Sequence, residues 1–283
     1  MKFAMCNEMF QGWDVDRQFN FIAECGYDGV ELAPFTLSDN GGYASTPCGD
    51  IRELTRTARE GIVRASARAG IRVAGLHWIL SKTEGFHLTT NDASVRRRTT
   101  EYLRELAYFC RDLGGEYMVL GSPMQRSCLP GVSMHQAYKN AISTIEPVLN
   151  ALEESRVLLA LEPLTAAETS FIQTGADALY LINKLGRPQS LGIHLDCKAM
   201  FGSEKESIPD VIQTPELRPF LKTFHANDPN LQGPGFGDLD FTLVMAALKT
   251  IEFDGWVGVE PFDFQAGIER VARESLQTLK ASL

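Results

Sequence analysis

No apolar run in this chain approaches the roughly 18 residues needed to cross a bilayer. A membrane-spanning helix is therefore not expected. The N-terminus, MKFAMCNEMF, is broken by Asn7 and Glu8 before a secretory h-region can form. There is no surplus of basic residues either. Lys and Arg total 27 against 36 Asp and Glu, a net charge of −9, which disfavours a nucleic-acid partner because phosphates need a basic stripe. The densest basic run, Arg96-Arg97-Arg98, falls in a helical pattern and reads as a solvated face. The cysteines Cys6, Cys25, Cys48, Cys110, Cys128 and Cys197 are scattered without a C-x-x-C pair. Reduced thiols in a cytoplasmic protein are the expectation.

What the chain does have is a regular alternation of short β-type runs and amphipathic helices. The first strand reads Phe3 to Cys6, and Asp14 caps a helix closed by Gly26. The second strand, Gly29 to Leu32, ends near Pro34. A loop from Ser38 to Gly49 precedes a helix running to Gly70. The third strand is expected over Ile71 to Leu80, with His77 and Trp78 on it. Val95, Thr99, Leu103, Leu106, Cys110 and Leu113 recur at steps of three and four, marking a helix stopped by Gly114. Tyr117 to Leu120 is the fourth strand, and Ser133 with Gln136 reads as a capping box for the next helix.

Four further strands each run into a polar group. Val157 to Leu161 delivers Glu162, and Leu191 to Leu195 delivers Asp196, followed by a loop and a short helix near Ile208 to Val211. A run through Phe224 delivers His225, and a helix then carries Leu243, Ala246, Ala247 and Ile251. Trp256 to Val259 delivers Glu260, before a last helix with Ile268, Val271, Ser275 and Leu279. Eight β-then-α units imply a parallel sheet closed into a single (β/α)8 TIM barrel spanning residues 1–283. The rival, an open doubly wound sheet, calls for a glycine fingerprint after strand one, where this chain has Asn7-Glu8-Met9-Phe10.

Residues at the carboxyl ends of barrel strands converge on one pocket. Glu162, Asp196, His225 and Glu260 then form an oxygen-rich set suited to Mn²⁺, Mg²⁺ or Co²⁺, with Zn²⁺ also able to bind. Two glutamates beside one cation suit proton shuttling at a carbon next to a carbonyl, each acting as acid in one direction and base in the other.

The segments Leu161-Glu162-Pro163, His194-Leu195-Asp196, Phe224-His225-Ala226-Asn227-Asp228 and Val259-Glu260-Pro261-Phe262 make the chain resemble the xylose-isomerase-like barrels. It is similar to their sugar phosphate isomerase/epimerase branch, and within that to the ketose 3-epimerases acting on tagatose and psicose. The resemblance implies that Glu162 and Glu260 are the acid/base pair and, with Asp196 and His225, the ligands of a divalent metal, Mn²⁺ foremost. It implies a metal-stabilised enediolate on a ketose or keto-sugar, a homodimer or homotetramer, and a substrate contact at Glu168. Two features depart from those epimerases. A histidine expected three residues after the metal-binding Asp is Ala199, and an arginine expected after the metal-binding His is absent from Asn227-Asp228-Pro229-Asn230.

Further substrate-binding candidates are His77, Glu31, Asn227, Arg126 and Lys198. Lys198, two residues past Asp196, is expected on the same strand face. His194, one layer deeper, is left between an orienting role and core packing. Other chemistries remain open. A lyase or dehydratase on a keto-sugar or inosose would use the same centre, and a sugar-binding protein would not need both glutamates. A nuclease like the apurinic-site endonucleases, sharing this barrel, would need more His ligands than five histidines supply.

Overall fold

The computed structural model describes residues 1–38 and 49–283. The interior of the loop expected from Ser38 to Gly49, including Cys48, lies outside them. Eight parallel strands close into a barrel in the order β1 to β8: β1 Lys2–Cys6, β2 Gly29–Leu32, β3 Arg72–Leu76, β4 Tyr117–Leu120, β5 Leu158–Leu161, β6 Leu191–Asp196, β7 Leu221–Ala226 and β8 Trp256–Val259. Around it lie α1 Val15–Cys25, α2 Arg56–Ala69, α3 Ala93–Asp112, α4 Met134–Ile145, α5 Leu149–Ser155, α6 Gly175–Lys184, α7 Cys197–Ser203, α8 Ile208–Ile212, α9 Phe241–Thr250 and α10 Ile268–Ala281. The expected barrel is the observed one. Among the described residues no helix is long and apolar enough to cross a membrane. Cys6, Cys25, Cys110, Cys128 and Cys197 are free thiols.

Local chemistry sets the helix ends. The side chains of Asp14, Thr55, Asp92, Ser133, Asp196 and Asp240 accept backbone N–H bonds at the first turns of their helices. Gly26 and Gly70 close α1 and α2 in the left-handed region, φ 91° and 66°. Thr174 and Asp177 form a reciprocal capping box on α6. The box expected at Ser133 is half formed, because the Gln136 amide bonds Asn140 at 2.9 Å instead of reaching back to the cap.

Three other expectations need correction. β3 stops at Leu76, so His77 and Trp78 stand just beyond it, where Trp78 takes φ 52° and turns the chain over the mouth of the barrel. A helix follows Asp196 directly, so Lys198 sits on α7 and not on a strand face. In α9 the buried stripe is Phe241, Val244, Met245, Ala247 and Leu248, while Leu243 is 58% exposed. Of the four positions read from the sequence, Ala247 and Ile251 are buried, whereas Leu243 and Ala246 face outward.

Inside the barrel, side chains stack in layers. At the amino-terminal end Trp256 lies with Ala4, Ala74, Tyr117 and Val119. Its indole N–H donates to Glu116 at 2.8 Å, and Glu116 also pairs with Lys2 at 2.9 Å and with Arg72. Tyr117 reaches upward to Glu31, and above them, at the carboxyl ends, the polar residues collect.

Candidate functional site

Each apolar strand is held by packing on both faces, so the first polar residue past its end is aimed into the mouth of the barrel. Glu162 follows β5, Asp196 ends β6, His225 lies on β7 and Glu260 follows β8. All four are buried, with exposures of 6, 2, 1 and 2%. One potential ligand atom from each lies within 4.8 Å of the others. The elements fix these positions closely. A Cβ on Gly121, at the end of β4, would stand 2.0 Å from Oε2 of Glu162, so only glycine leaves room for that carboxylate.

The polar groups around the four are ordered by hydrogen bonds. Glu260 accepts from the Trp78 indole N–H at 2.7 Å and lies 3.0 Å from Nδ1 of His225. The other ring nitrogen, Nε2, is 3.0 Å from Glu31. Asp196 accepts from the Ala199 amide at 2.7 Å and from the Asn227 amide nitrogen at 2.6 Å. Asp196 is thus both the cap of α7 and a member of the cluster, two roles that a carboxylate with two oxygens can hold at once.

The two glutamates are electrostatically unlike. Burial, and then the charges of Glu260 and Asp196, push Glu162 up to about 8. Burial pushes Glu260 up too, but the charge and hydrogen bond of His225, with His77 and Trp78, outweigh it and hold Glu260 well below the usual carboxylate range. Burial and Glu260 raise Asp196 to about 6. Burial lowers His225, yet Glu260 and Glu31 outweigh it and carry it well above its ordinary value. Three buried carboxylates this close are mutually repulsive, and a divalent cation is the natural counterion. By donor chemistry and spacing, Glu162, Asp196, His225 and Glu260 fit a hard divalent metal.

Trp78, Ser122, Glu162, Glu168, Lys198 and Phe262 line a narrow cleft that opens onto Glu162, Asp196 and Glu260. Lys198 bonds Glu168 at 2.7 Å and lies 4.5 Å from the centroid of the Phe262 ring. Among the other residues singled out from sequence, Asn227 lies behind Asp196, its carbonyl accepting from the Lys198 amide at 3.0 Å. His77 is fully buried, with Nε2 2.8 Å from Glu8 and 3.9 Å from Glu260. Glu31 is enclosed by Tyr117 and His225 and does not line the cleft. Arg126 is wholly buried. One amino group donates to the Leu120 carbonyl at 3.2 Å, while Nε and Nη2 have no hydrogen-bond partner. His194 packs edge-on against His225 at 4.1 Å and bonds Thr223 at 2.8 Å; burial lowers it well below its ordinary value, so it is neutral.

Sequence reasoning gave no role to Glu8, Phe262 or Tyr117. Glu8 was legible in principle, since it is an acidic residue two places past the end of β1. Tyr117 carried no such signal, because it reaches its partner from inside a strand.

Comparison with known proteins agrees with the fold. A family model described as a xylose isomerase-like TIM barrel matches residues 19–282. A protein of Synechocystis sp. named "Probable ketose 3-epimerase" is 28% identical over 200 residues, 67% of this chain and 65% of that protein. The ketose 3-epimerase of Arthrobacter globiformis is 26% identical over 241 residues, 84% of this chain and 74% of that protein. Among solved structures, a D-psicose 3-epimerase of Clostridium cellulolyticum with D-tagatose superposes with a TM-score of 0.82 at 16% identity, covering 100% of this chain and 99% of the other. A 3-keto-D-glucoside 4-epimerase of E. coli gives 0.81 at 20% identity, covering 99% of each. At such identities these two structures establish the shared fold.

Proposed function

The chain belongs to the xylose isomerase-like TIM barrel family, and we propose that it is a divalent-metal-dependent epimerase of an unphosphorylated keto-sugar. In this reading residues 1–283 form one cytoplasmic (β/α)8 domain. The observation that carries it is the pair Glu162 and Glu260, two buried carboxylates brought by β5 and β8 into one four-residue cluster with Asp196 and His225. Two carboxylates from different strands facing one site are suited to opposite halves of a proton transfer. The ketose 3-epimerase names of the curated relatives support the reaction class.

Glu260, ionised, is the base that takes the proton from the carbon beside the substrate carbonyl. Glu162, protonated, returns a proton to the opposite face of the enediolate, and the roles exchange in the reverse direction. A cation held by Glu162, Asp196, His225 and Glu260, Mn²⁺ foremost, would neutralise the negative charge that develops on the substrate oxygens. Trp78 holds Glu260 in place through its 2.7 Å bond and, with Phe262, forms an apolar wall. Lys198 and Glu168, already paired across the cleft, present a donor and an acceptor to sugar hydroxyls. The lining carries four carboxylates, those of Glu162, Glu168, Asp196 and Glu260, and one cation, that of Lys198. That cation is already paired with Glu168 and, among the described residues, no arginine lines the cleft. No basic side chain there is free to clamp a phosphate, and the substrate in this reading is a neutral sugar.

The test is turnover of a panel of free ketoses by metal-stripped and Mn²⁺-loaded enzyme, with products resolved by chromatography. Epimer formation that stops with chelator and returns with Mn²⁺ is expected. Dehydrated products would move the assignment to the lyase chemistry, and undiminished turnover after stripping would refute the metal dependence.

A further inference from the structure

His225 is held from both sides, and the side away from the carboxylate cluster is as elaborate as the side facing it. Nδ1 faces Glu260 at 3.0 Å. Nε2 points the other way, 3.0 Å from Oε1 of Glu31 and 3.6 Å from the Cys6 sulfur. Glu31 is 1% exposed, and its second oxygen accepts from the Tyr117 hydroxyl at 2.5 Å. Tyr117, also 1% exposed, comes from β4, two strands away from β2.

The barrel is cleared for this chain of contacts. Gly75 of β3 is in register with Glu31 on one side and with Tyr117 on the other. A Cβ on Gly75 would lie 2.8 Å from the Tyr117 ring. Gly258 of β8 pairs with His225. A Cβ there would lie 2.8 Å from Cδ2 of the imidazole and 3.0 Å from Oε2 of Glu31. Glycine at both places lets Tyr117 reach Glu31, and lets Glu31 reach the imidazole, without displacing either.

From this geometry we propose that Glu31 is a positioning residue for the metal centre, itself oriented by Tyr117. It takes the hydrogen bond from Nε2–H of His225 and so leaves the lone pair of Nδ1 facing Glu162, Asp196 and Glu260. An imidazole ligates through one nitrogen only when the other carries the proton, and the partner of that proton decides which tautomer and ring orientation persist. A carboxylate is the strongest available acceptor. The Cys6 sulfur beside the same nitrogen is a weak one. Glu31 accordingly acts through His225 and touches no substrate. The inference rests on the metal reading given above, but not on the identity of the sugar.

The experiment uses the full chain and the metal alone. Mn²⁺ affinity is measured by titration calorimetry for the parent, Glu31→Ala, Glu31→Gln and Tyr117→Phe. The protonated ring nitrogen of His225 is identified by ¹⁵N NMR of the Zn²⁺-loaded, ¹⁵N-histidine-labelled parent. The parent ring should carry its proton on Nε2. Glu31→Ala should weaken binding roughly 10- to 100-fold, the range seen when partners of metal-ligating histidines are removed. Glu31→Gln, whose amide oxygen still accepts from Nε2–H, should recover part of that loss, and Tyr117→Phe should lose less than Glu31→Ala.

A parent ring protonated on Nδ1, or a folded Glu31→Ala protein binding Mn²⁺ within twofold of the parent, would overturn the assignment. If Glu31→Ala fails to fold, the parent spectrum and the other two variants decide the matter, and unchanged affinity in both would refute it. A parent that takes up no metal would overturn the metal reading itself in the first titration. A parent that binds metal but turns over no sugar leaves these readouts intact and faults only the substrate.

Discussion

Glu162→Gln should abolish turnover and yet make the metal-free protein more stable at pH 8. In the folded protein the Glu162 carboxyl is pushed from about 4.5 up to about 8 by burial and by Glu260 and Asp196. Between those values the folded state holds a proton that the unfolded chain has released. The folded state therefore binds more protons, and stability falls as pH rises through that interval. At about 1.4 kcal/mol per pH unit the full interval is worth up to ~5 kcal/mol, and dielectric relaxation of the site reduces this to on the order of 2–3 kcal/mol. An amide of the same shape carries no such penalty. For a chain of this size, ~2 °C per kcal/mol converts the gain into a melting temperature about 5 °C higher for Glu162→Gln at pH 8 in chelator. At pH 5, where the folded Glu162 is already protonated, the difference should shrink to about 1 kcal/mol or less. Saturating Mn²⁺ should remove most of this difference, since the parent gains about 2.7 kcal/mol at a hundredfold excess over Kd while the variant, having lost a ligand, gains less. Calorimetric scans at the two pH values, with and without Mn²⁺, provide the comparison. A variant no more stable than the parent at pH 8, or an advantage of equal size at pH 5, would refute the electrostatic reasoning.

Other substitutions probe the same centre. Gly121→Ala places a methyl group 2.0 Å from Oε2 of Glu162 and should cut Mn²⁺ affinity at least tenfold in calorimetry, with overpacking costing about 1–3 kcal/mol of stability. Trp78→Phe keeps the apolar wall but removes the 2.7 Å bond to Glu260. Loss of a hydrogen bond to a charged group, about 1.5–3 kcal/mol, should appear mainly as a lower kcat in steady-state kinetics. Arg126→Met replaces a fully buried guanidinium that has two unpaired nitrogens. Its melting temperature should equal or exceed that of the parent, because replacing a desolvated, incompletely hydrogen-bonded charge by an apolar side chain is often neutral or stabilising even where carboxylates such as Glu162 and Glu168 partly offset it.

How much of this was legible in the chain depended on whether the cause was local. The strands ending in Glu162, Asp196, His225 and Glu260 could be read because each apolar run stops abruptly at a polar residue, and barrel topology brings such ends together. The caps at Asp14 and Gly26 were legible for the same reason, since both act within one helical turn. Lys198 was placed on a strand because Asp196 was read as a strand residue alone, whereas its carboxylate also starts α7. Glu31, Tyr117, Gly75 and Gly258 gave no hint of acting together. They come from four strands, and only the closed register of the sheet brings them to one imidazole. The inward face of α9 was half legible, since Ala247 and Ile251 are buried while Leu243 and Ala246 are not. Phe241, Val244, Met245 and Leu248 complete the buried stripe, and Leu243 lies on the outer side of the same helix.

The account stands most directly on proton exchange at the substrate. A free ketose incubated in D₂O with Mn²⁺-loaded enzyme and followed by ¹H NMR should gain deuterium at a carbon next to the carbonyl, and should give the epimer at that carbon. Glu162→Gln and Glu260→Gln should each abolish epimer formation. Epimer formed without solvent deuterium, or formed at the parental rate by either variant, would contradict the proposed proton shuttle between these two carboxylates.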